Sequence, residues 1–424
     1  MSWTAYENLG ERCFSRRLSN GLTVKVVPKE GFTRCLAYFV TDFGAIHRDF
    51  RLDGQEYHVP AGVAHFLEHK MFELPGRDVT AEFAALGANV NAFTSFDMTA
   101  YYFSCTANFE ENLALLLEFV STPYFTEESV RREYGIIDQE IAMNEDAPDS
   151  REFELLTNLM YTRHPIRTPI LGTRESIRQI TPEILHLCHR AFYTPGNMVL
   201  CVVGDVDAER VAAIAEQVLG DERKAAAVKL RDWDEPMRCN TRPETLRLEV
   251  AMPTFQLGFK CESVPQQDPI RTDVVGYLAA EILFGESSSL YLELYEKGLI
   301  DSSFGGGFET IDGCALLTCG GDGESGEKIR AALLDKTADL MENGVDERAF
   351  LRLKRGAMGR RLRDLDSFDA LCFRICAYYF LGQDYFCFPQ VYADISAEEV
   401  LEFLGRVVRP ERCALAMTQP IMNA

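Results

Sequence analysis

The sequence lacks long apolar runs and is poor in positive charge. Nowhere do about 18 apolar residues follow one another, and the N-terminal MSWTAYENLGERCFSRR has no apolar core of signal-peptide length. Only 43 lysine and arginine residues face 65 aspartate and glutamate residues, for a net charge of −22. Such an excess repels nucleic acid and anionic membranes. We therefore expect a cytoplasmic protein that binds neither nucleic acid nor membrane, and cationic or neutral partners remain open.

The cysteines lack any recurring spacing. The thirteen residues are an odd number and stand singly in apolar stretches such as AYYFSCTANF. This distribution indicates reduced thiols and not a disulfide framework. Cys372 and Cys376 in CFRIC have the i, i+4 spacing of a helix, but no histidine lies nearby in the sequence. We favour buried structural thiols there over a metal pair.

The order of the predicted elements occurs twice along the 424 residues, which exceed one ordinary core. The first half contains two strands, helices, a hairpin, more helices and a closing strand at 198–206. A charged stretch without periodicity follows, and the same order then returns and ends in a strand at 412–418. We therefore predict an α+β protein of two structurally related halves, each a mainly antiparallel sheet packed against helices. The predicted parts are an N-terminal domain at 1–222, a linker at 223–244 and a C-terminal domain at 245–424.

Histidine is rare, yet two of the seven histidines stand four residues apart in HFLEH. On a helix predicted at 61–72, His65 and His69 lie on one face and can point at one ion, and Glu68 projects from the same side. Hydrolytic zinc sites commonly take three protein ligands and leave a fourth position for water, so two histidines form an incomplete site. The matching helix of the second half, at 273–285, has no histidine. Any metal chemistry is therefore expected in the first half only.

A helix predicted at 126–146 offers candidates for the third ligand: Glu133, Glu140 and Glu145. Glu133 and Glu140 stand two turns apart and share a face. Neighbouring isoleucines give the helix an apolar side that we expect to be buried: Ile136, Ile137 and Ile141. A carboxylate drawn toward a packed interior needs a partner, and a metal ion is one such partner. This favours a metal site over a polar helix face that holds no metal.

Together, HFLEH, NAFTS, AYYF and EYGIIDQE resemble the motifs of the pitrilysin family of zinc peptidases, the inverzincins, which carry H-x-x-E-H and a distal glutamate. The resemblance covers the whole chain and is nearest to bacterial processing-peptidase-like members and to the beta-type subunit of the mitochondrial processing peptidase. It implies that the two halves close like a clamshell and form a chamber for short or unfolded peptides.

The family pattern implies a role for each matching residue. His65, His69 and Glu140 would be the ligands of one Zn²⁺ per chain, and Glu133 would be a supporting carboxylate behind them. Glu68 would be the general base for the attacking water and would then pass the proton to the leaving amine.

The resemblance also gives the hairpin at 89–106 a role. In the family a strand edge here pairs with the substrate backbone, so that the peptide is bound in extended form. Asn91, Ala92 and Phe93 match that edge. For individual side chains other than Asn91, ordinary sheet structure remains the simpler interpretation.

One stretch departs from the family. Active members usually carry a second-half sequence like L-R-E-x-R-G-L-A-Y, whose arginine and tyrosine stabilise the oxyanion. The matching LYEKGLID places Tyr295 at the arginine position and Asp301 at the tyrosine position. Two explanations remain: a related subunit without zinc supplies both groups in a heterodimer, or other donors act in this chain. We favour the heterodimer, with a homodimer as the remaining assembly.

The sequence therefore predicts a zinc metalloendopeptidase that hydrolyses short or unfolded peptides. The alternative is a non-catalytic structural or assembly subunit derived from the same family. The retained His65, Glu68, His69 and Glu140 favour the enzyme. The natural substrate and the cleavage specificity do not follow from the sequence.

Overall fold

The fold was analysed on a computed structural model, which describes residues 2–222, 225–231, 233–263 and 268–421. Three residues of the predicted linker, 223, 224 and 232, lie outside the described residues. The strands are β1 (Ser2–Tyr6), β2 (Glu11–Arg17), β3 (Thr23–Pro28), β4 (Cys35–Thr41), β5 (Asp49–Leu52), β6 (Gln55–His58), β7 (Glu73–Leu74), β8 (Arg77–Asp78), β9 (Ala88–Thr94), β10 (Thr99–Cys105), β11 (Met198–Gly204), β12 (Val228–Lys229), β13 (Glu244–Leu248), β14 (Thr254–Cys261), β15 (Gly305–Ile311), β16 (Cys314–Asp322) and β17 (Cys413–Pro420).

Helices fill most of the sequence between these strands. They are α1 (Val63–Met71), α2 (Val79–Ala85), α3 (Phe109–Ser121), α4 (Glu127–Asp146), α5 (Pro148–Met160), α6 (Arg174–Ile177), α7 (Pro182–Phe192), α8 (Ala208–Leu219), α9 (Pro269–Phe284), α10 (Ser289–Glu296), α11 (Gly326–Asn343), α12 (Glu347–Arg363), α13 (Phe368–Phe380), α14 (Phe388–Asp394) and α15 (Ala397–Val407). Among the described residues, none of the helices is long and apolar enough to cross a membrane.

The N-terminal part of the chain forms a seven-stranded sheet in the order β1-β2-β3-β11-β4-β10-β9. Every residue of β4 and β11 is buried, as their continuous apolar sequences require of central strands. By contrast, no residue of β9 is fully buried, and β9 ends the sheet. The chain therefore presents β9 as an edge strand, with backbone groups open to a further strand.

A five-stranded sheet repeats this arrangement in the second half of the chain. Its order is β13-β17-β14-β16-β15. In both sheets a parallel pair, β3 with β11 and β13 with β17, is followed by antiparallel neighbours. The predicted fold class, two related α+β halves with mainly antiparallel sheets, is confirmed at the level of strand order and direction.

The two compact units of the chain are not continuous in sequence. The first unit takes in the chain up to Ile141 together with Thr168–Arg231 and Leu362–Tyr385, and the second takes in the remainder. Helix α5 accordingly packs on β14 and β17 of the second unit, while α13 packs on β4 and β11 of the first. These strands occupy equivalent places in the two sheets. Each sheet is therefore covered on one face by a helix from the other half of the sequence, whereas the predicted domains were contiguous.

Candidate active site

Helix α1 carries the histidine stripe and is fixed by its apolar side. Val63, Phe66 and Leu67 are buried in the core of the first unit. The helix starts after Gly62, whose φ of 86° suits glycine, and a Cβ there would lie 2.4 Å from the carbonyl oxygen of Leu171. The helix entry thus needs glycine for both its backbone conformation and its close contact.

Three predicted ligands converge beside α1. The side chains of His65, His69 and Glu140 each offer one donor atom, and these atoms all lie within 4.8 Å of one another. Glu140 Oε2 is 3.7 Å from His65 Nε2 and 3.6 Å from His69 Nε2. Ligands arranged tetrahedrally around one zinc ion stand about 3.4 Å apart, so these spacings are those of a zinc site.

An unsatisfied polar atom also favours a cation at this point. Glu140 Oε2 is a buried side-chain atom without a hydrogen-bond partner among the described residues. A buried carboxylate oxygen that faces two imidazole nitrogens is costly unless a positive charge joins them. Two imidazoles and one carboxylate are a common ligand set of hydrolytic zinc. The residues present therefore fit the metal that the sequence implies.

Helix α4 supplies both Glu140 and Glu133, which lies two helical turns before Glu140 on the same face. Glu133 Oε1 lies 2.9 Å from His69 Nδ1, so it can accept the ring proton and leave Nε2 as the nitrogen that faces Glu140. The expected apolar side of the helix is confirmed for Ile137 and Ile141, which are buried. It is wrong for Ile136, which is 50% exposed. One residue turns the helix by about 100°, which rotates Ile136 away from the buried pair.

The pKa values of the two histidines shift in opposite directions. Burial, with a smaller effect from His69, lowers the pKa of His65 to about 3, so that its ring is neutral and can donate a lone pair. Burial also opposes charge on His69, but the hydrogen bond to Glu133 and the nearby carboxylates outweigh it and raise its pKa.

Glu68, the predicted general base, is buried and held by a hydrogen bond. The side chain is buried, and this burial raises its pKa, while the Thr94 hydroxyl and His69 act in the opposite direction. Thr94 Oγ1 donates a hydrogen bond to Glu68 Oε2 at 2.5 Å. The bond holds the carboxylate against β9, beside the three converging donor atoms.

The three residues predicted to contact the substrate lie on the edge strand β9. Asn91, Ala92 and Phe93 belong to β9, and the backbone N–H of Ala92 donates to Asn91 Oδ1 at 2.8 Å. Phe93 and Asn91 project to one face of the sheet, and Thr94 and Ala92 project to the other face, where Glu68 lies. The predicted hairpin from 89 to 106 is confirmed as β9 and β10.

The departures from the family lie in the second unit. Tyr295 is 52% exposed at the end of α10. Asp301 is exposed and accepts hydrogen bonds from the Ser303 hydroxyl and backbone N–H, which lower its pKa. An ionised carboxylate has no proton to donate to an oxyanion.

Two residues of the site were not predicted from the sequence. Thr94 stood in the quoted NAFTS motif, but no role followed from its spacing. Lys70 is 1% exposed, contacts Glu73, and lies 3.8 Å from Glu133. A lysine directly after His69 on a helix with a buried face was the available signal, because a buried ammonium group needs carboxylate partners.

Comparison with known families gives two matches, one that contains the site and one that follows it in the sequence. The profile described as "Insulinase (Peptidase family M16)" matches residues 55–174. The profile described as "Peptidase M16 inactive domain" matches residues 179–357. The first range contains the five residues of the histidine stripe and its carboxylates.

Individual proteins extend this similarity over the whole chain. The uncharacterized zinc protease YmfH of Bacillus subtilis is 36% identical over 98% of this chain and 98% of its own length. A structure described as an M16-like peptidase from Alicyclobacillus acidocaldarius has a TM-score of 0.92 at 34% identity and covers 97% of this chain and 99% of that one. A protease structure from Helicobacter pylori has a TM-score of 0.83 at 19% identity, with coverage of 97% and 100%, and supports the fold alone.

Proposed function

The chain belongs to the M16 family of peptidases, the insulinase family, and from this premise we propose that it is a zinc-dependent endopeptidase acting on short or unfolded peptides. The observation that carries the proposal is the convergence of His65, His69 and Glu140 beside the buried Glu68. Two imidazoles and one carboxylate whose donor atoms converge match a common ligand set of hydrolytic zinc, which supports the proposal.

In the proposed mechanism, His65, His69 and Glu140 would hold the ion, and Glu133 fixes the ring of His69 through Nδ1. A zinc ion held there would supply Lewis acidity toward the attacking water and the peptide carbonyl. Glu68 takes a proton from the attacking water and gives it to the leaving amine nitrogen. Its raised pKa suits the first step, because a stronger base accepts the proton more readily. Thr94 keeps the carboxylate in place.

The peptide would bind as an added strand beside β9. The sheet ends there, and Thr94 links the same strand to the base, so a peptide along this edge passes next to the cluster. This mode needs an extended backbone and reads few side chains. Folded proteins would therefore be poor substrates.

The direct test compares wild type with Glu68→Gln. Glutamine keeps the shape and can still accept the hydrogen bond from Thr94, but it is not a base. Peptide turnover should fall by about 10²–10⁴-fold, while the zinc content stays the same. Glu145→Gln, an exposed change on α4, is the matched control. Equal turnover by wild type and Glu68→Gln would defeat the mechanism.

We further propose that the active form is a heterodimer with a related subunit that lacks the zinc ligands. Tyr295 and the ionised Asp301 support this, because neither reproduces the expected arginine and tyrosine. The purified chain should hydrolyse peptides slowly alone and faster with a related protein from the same genome that lacks the motif. Full activity of the chain alone would exclude the heterodimer and leave a homodimer or other donors.

The second candidate function is a non-catalytic assembly subunit of the same family. The match of residues 179–357 to a domain described as inactive is compatible with it. The retained ligand set argues for the enzyme. The same assay separates the two, since a structural subunit would bind its partner without any turnover that depends on Glu68.

We propose a cytoplasmic location. No disulfide joins any of the thirteen cysteines, all of which lie in the described residues, and most are buried. Thiols of this kind persist in a reducing compartment. Cell fractionation with an antibody against the chain would test this, and recovery from an oxidising compartment would contradict it.

A further inference from the structure

Four aromatic rings gather on the face of the first sheet that lies away from Glu68. Tyr102 stacks on Tyr38 with ring centroids 4.5 Å apart, and Phe93 lies 6.3 Å from Tyr102. Phe373, from α13, lies 6.0 Å from Phe93. The cluster thus joins the edge strand β9 to the helix that the second half of the sequence contributes to this unit.

Three of these rings are at least partly open to solvent. Tyr38 is 4% exposed and belongs to the packed interior, but Phe373 is 42% exposed, and Phe93 and Tyr102 are partly exposed. The contact between Phe373 and the partly exposed Phe93 leaves apolar area of both rings in solvent. Their exposed faces lie beside an edge strand with backbone groups open to a further strand.

Strand register decides which side chains of a bound peptide would reach these rings. Directly paired residues of neighbouring strands project to the same face, as Tyr102 and its partner Tyr38 do. A peptide residue opposite Phe93 would therefore project to the face of the aromatic cluster. Residues opposite Ala92 or Thr94 would project to the face of Glu68.

We propose that Phe373 and Phe93 form a hydrophobic subsite for the substrate side chain that lies opposite Phe93. The inference rests on the proposed function, in which peptides pair with β9. The ligand is an aromatic or large aliphatic side chain of an extended peptide. Phe373 is thereby a specificity residue supplied by a helix distant in sequence from the metal site.

The charges around the cluster agree with an apolar ligand. Asp369, one turn before Phe373, forms an ion pair with Arg34 at 2.9 Å. The carboxylate is thus already engaged by a cation on its own side of the sheet. A charged side chain in an apolar subsite would lose hydration.

The experiment uses a set of unstructured peptides in which one phenylalanine or one alanine occupies each position in turn. Mass spectrometry identifies the cleaved bond. Cleavage rates are then compared between peptides that carry phenylalanine or alanine at the same number of residues from that bond. Wild type should prefer phenylalanine at one such position on the aromatic face. Phe373→Ala should reduce the phenylalanine-to-alanine rate ratio there by about three- to tenfold, and Phe373→Leu should retain a preference for apolar residues.

Phe32→Ala is the matched control. Phe32 is 57% exposed, and its ring lies 5.6 Å from that of Phe368, which belongs to α13 as Phe373 does. Phe32 itself is outside β9. This variant should keep the wild-type ratio, and thermal unfolding of all variants checks that each is folded.

Two results overturn the proposal, and they can be told apart. Wild type that hydrolyses none of the peptides, either alone or together with the related subunit, defeats the proposed function and the subsite with it. Wild type that hydrolyses them, with the same ratio in Phe373→Ala or an equal loss in Phe32→Ala, defeats the subsite alone.

Discussion

Glu133 and Lys70 support the histidine stripe from behind. Glu133 Oε1 lies 2.9 Å from His69 Nδ1, and its other oxygen lies 3.8 Å from Lys70 Nζ. Lys70 also contacts Glu73. A carboxylate behind an imidazole fixes the orientation of the ring and raises its basicity. This network therefore determines how well His69 can serve as a ligand.

Replacing Glu133 should weaken metal binding without unfolding the protein. We expect Glu133→Ala to lower zinc affinity by about 10–100-fold, because the ring of His69 loses its fixed orientation. Zinc titration against a competing chelator measures this. Glu145→Ala, an exposed change on the same helix, is the control. Equal affinities of the two variants would show that Glu133 does not support the ligand.

The sequence predicts the residues of the site that helical spacing relates. His65 and His69 share a face at i, i+4, and Glu133 and Glu140 share one at i, i+7. Thr94 was not assigned, because its partner Glu68 is 26 residues away and no local period relates a strand to a helix. Contacts of this type follow from tertiary packing alone.

Helix α5 contains a buried carboxylate outside the active site. Glu152 is 3% exposed and accepts hydrogen bonds from the hydroxyls of Thr254 and Thr418 in the second sheet. Burial raises its pKa to about 7, although the two hydroxyls act in the opposite direction. The helix therefore packs on its sheet around a group that is more readily protonated than an ordinary glutamate.

This pKa makes the stability of the second unit depend on pH. The folded state holds the proton of Glu152 more tightly than the unfolded chain, whose glutamates titrate near pH 4.3, so stability falls as pH rises from about 4.3 to 7. Glu152→Gln should remove this loss. We compare the free energy of unfolding of Glu152→Gln with that of wild type at two pH values. After allowance for solvent screening, we expect this difference to favour the variant by about 1–2 kcal/mol more at pH 8 than at pH 4.

Chemical denaturation at both pH values measures the difference. Glu154→Gln, a neighbour on α5 that pairs with Arg151 near the surface, should show a much smaller change with pH. A stability difference between wild type and Glu152→Gln that is the same at pH 4 and pH 8 would contradict the assignment.

Strands and helices could be predicted where the sequence shows a clear pattern of apolar residues. The hairpin of β9 and β10 follows from β-branched and aromatic residues around a short turn, and the structure has it. The hairpin of β1 and β2 was not predicted, because SWTAY and ERCFSRR carry several polar residues without clear alternation. The exchange of α5 and α13 could not be predicted either, since an amphipathic helix does not specify which of two similar sheets it covers.

At the scale of the whole molecule, the exchange of helices makes each unit depend on both halves of the sequence. A fragment of residues 1–222 would lack α13 and leave β4 and β11 uncovered on one face. Exposed apolar strands favour aggregation. The predicted boundary at 223–244 would therefore separate the sequence without separating the packing units.

Fragment complementation tests this dependence. We expect residues 1–222 and residues 245–424 to be poorly soluble when each is produced alone, and to give a soluble, zinc-binding complex when they are produced together. Size-exclusion chromatography and circular dichroism provide the measurement. Two independently folded, monomeric fragments of native stability would contradict the expectation and support contiguous domains.

The net charge of −22 also gives a prediction at this scale. If the walls around a bound peptide share this charge, cationic peptides should be cleaved faster than anionic ones of equal length, and added salt should reduce the difference. Rates measured at low and high ionic strength check this. Cleavage that is indifferent to both peptide charge and salt would contradict it.

The zinc content of the purified protein tests the proposed metal site. We expect about one zinc ion per chain in wild type and in His58→Ala, a change at an exposed histidine that lies beside Asp49. We expect loss of that zinc in His65→Ala, His69→Ala and Glu140→Ala, each with the fold retained. Equal zinc content in wild type and in all three ligand variants would contradict a zinc site at these residues.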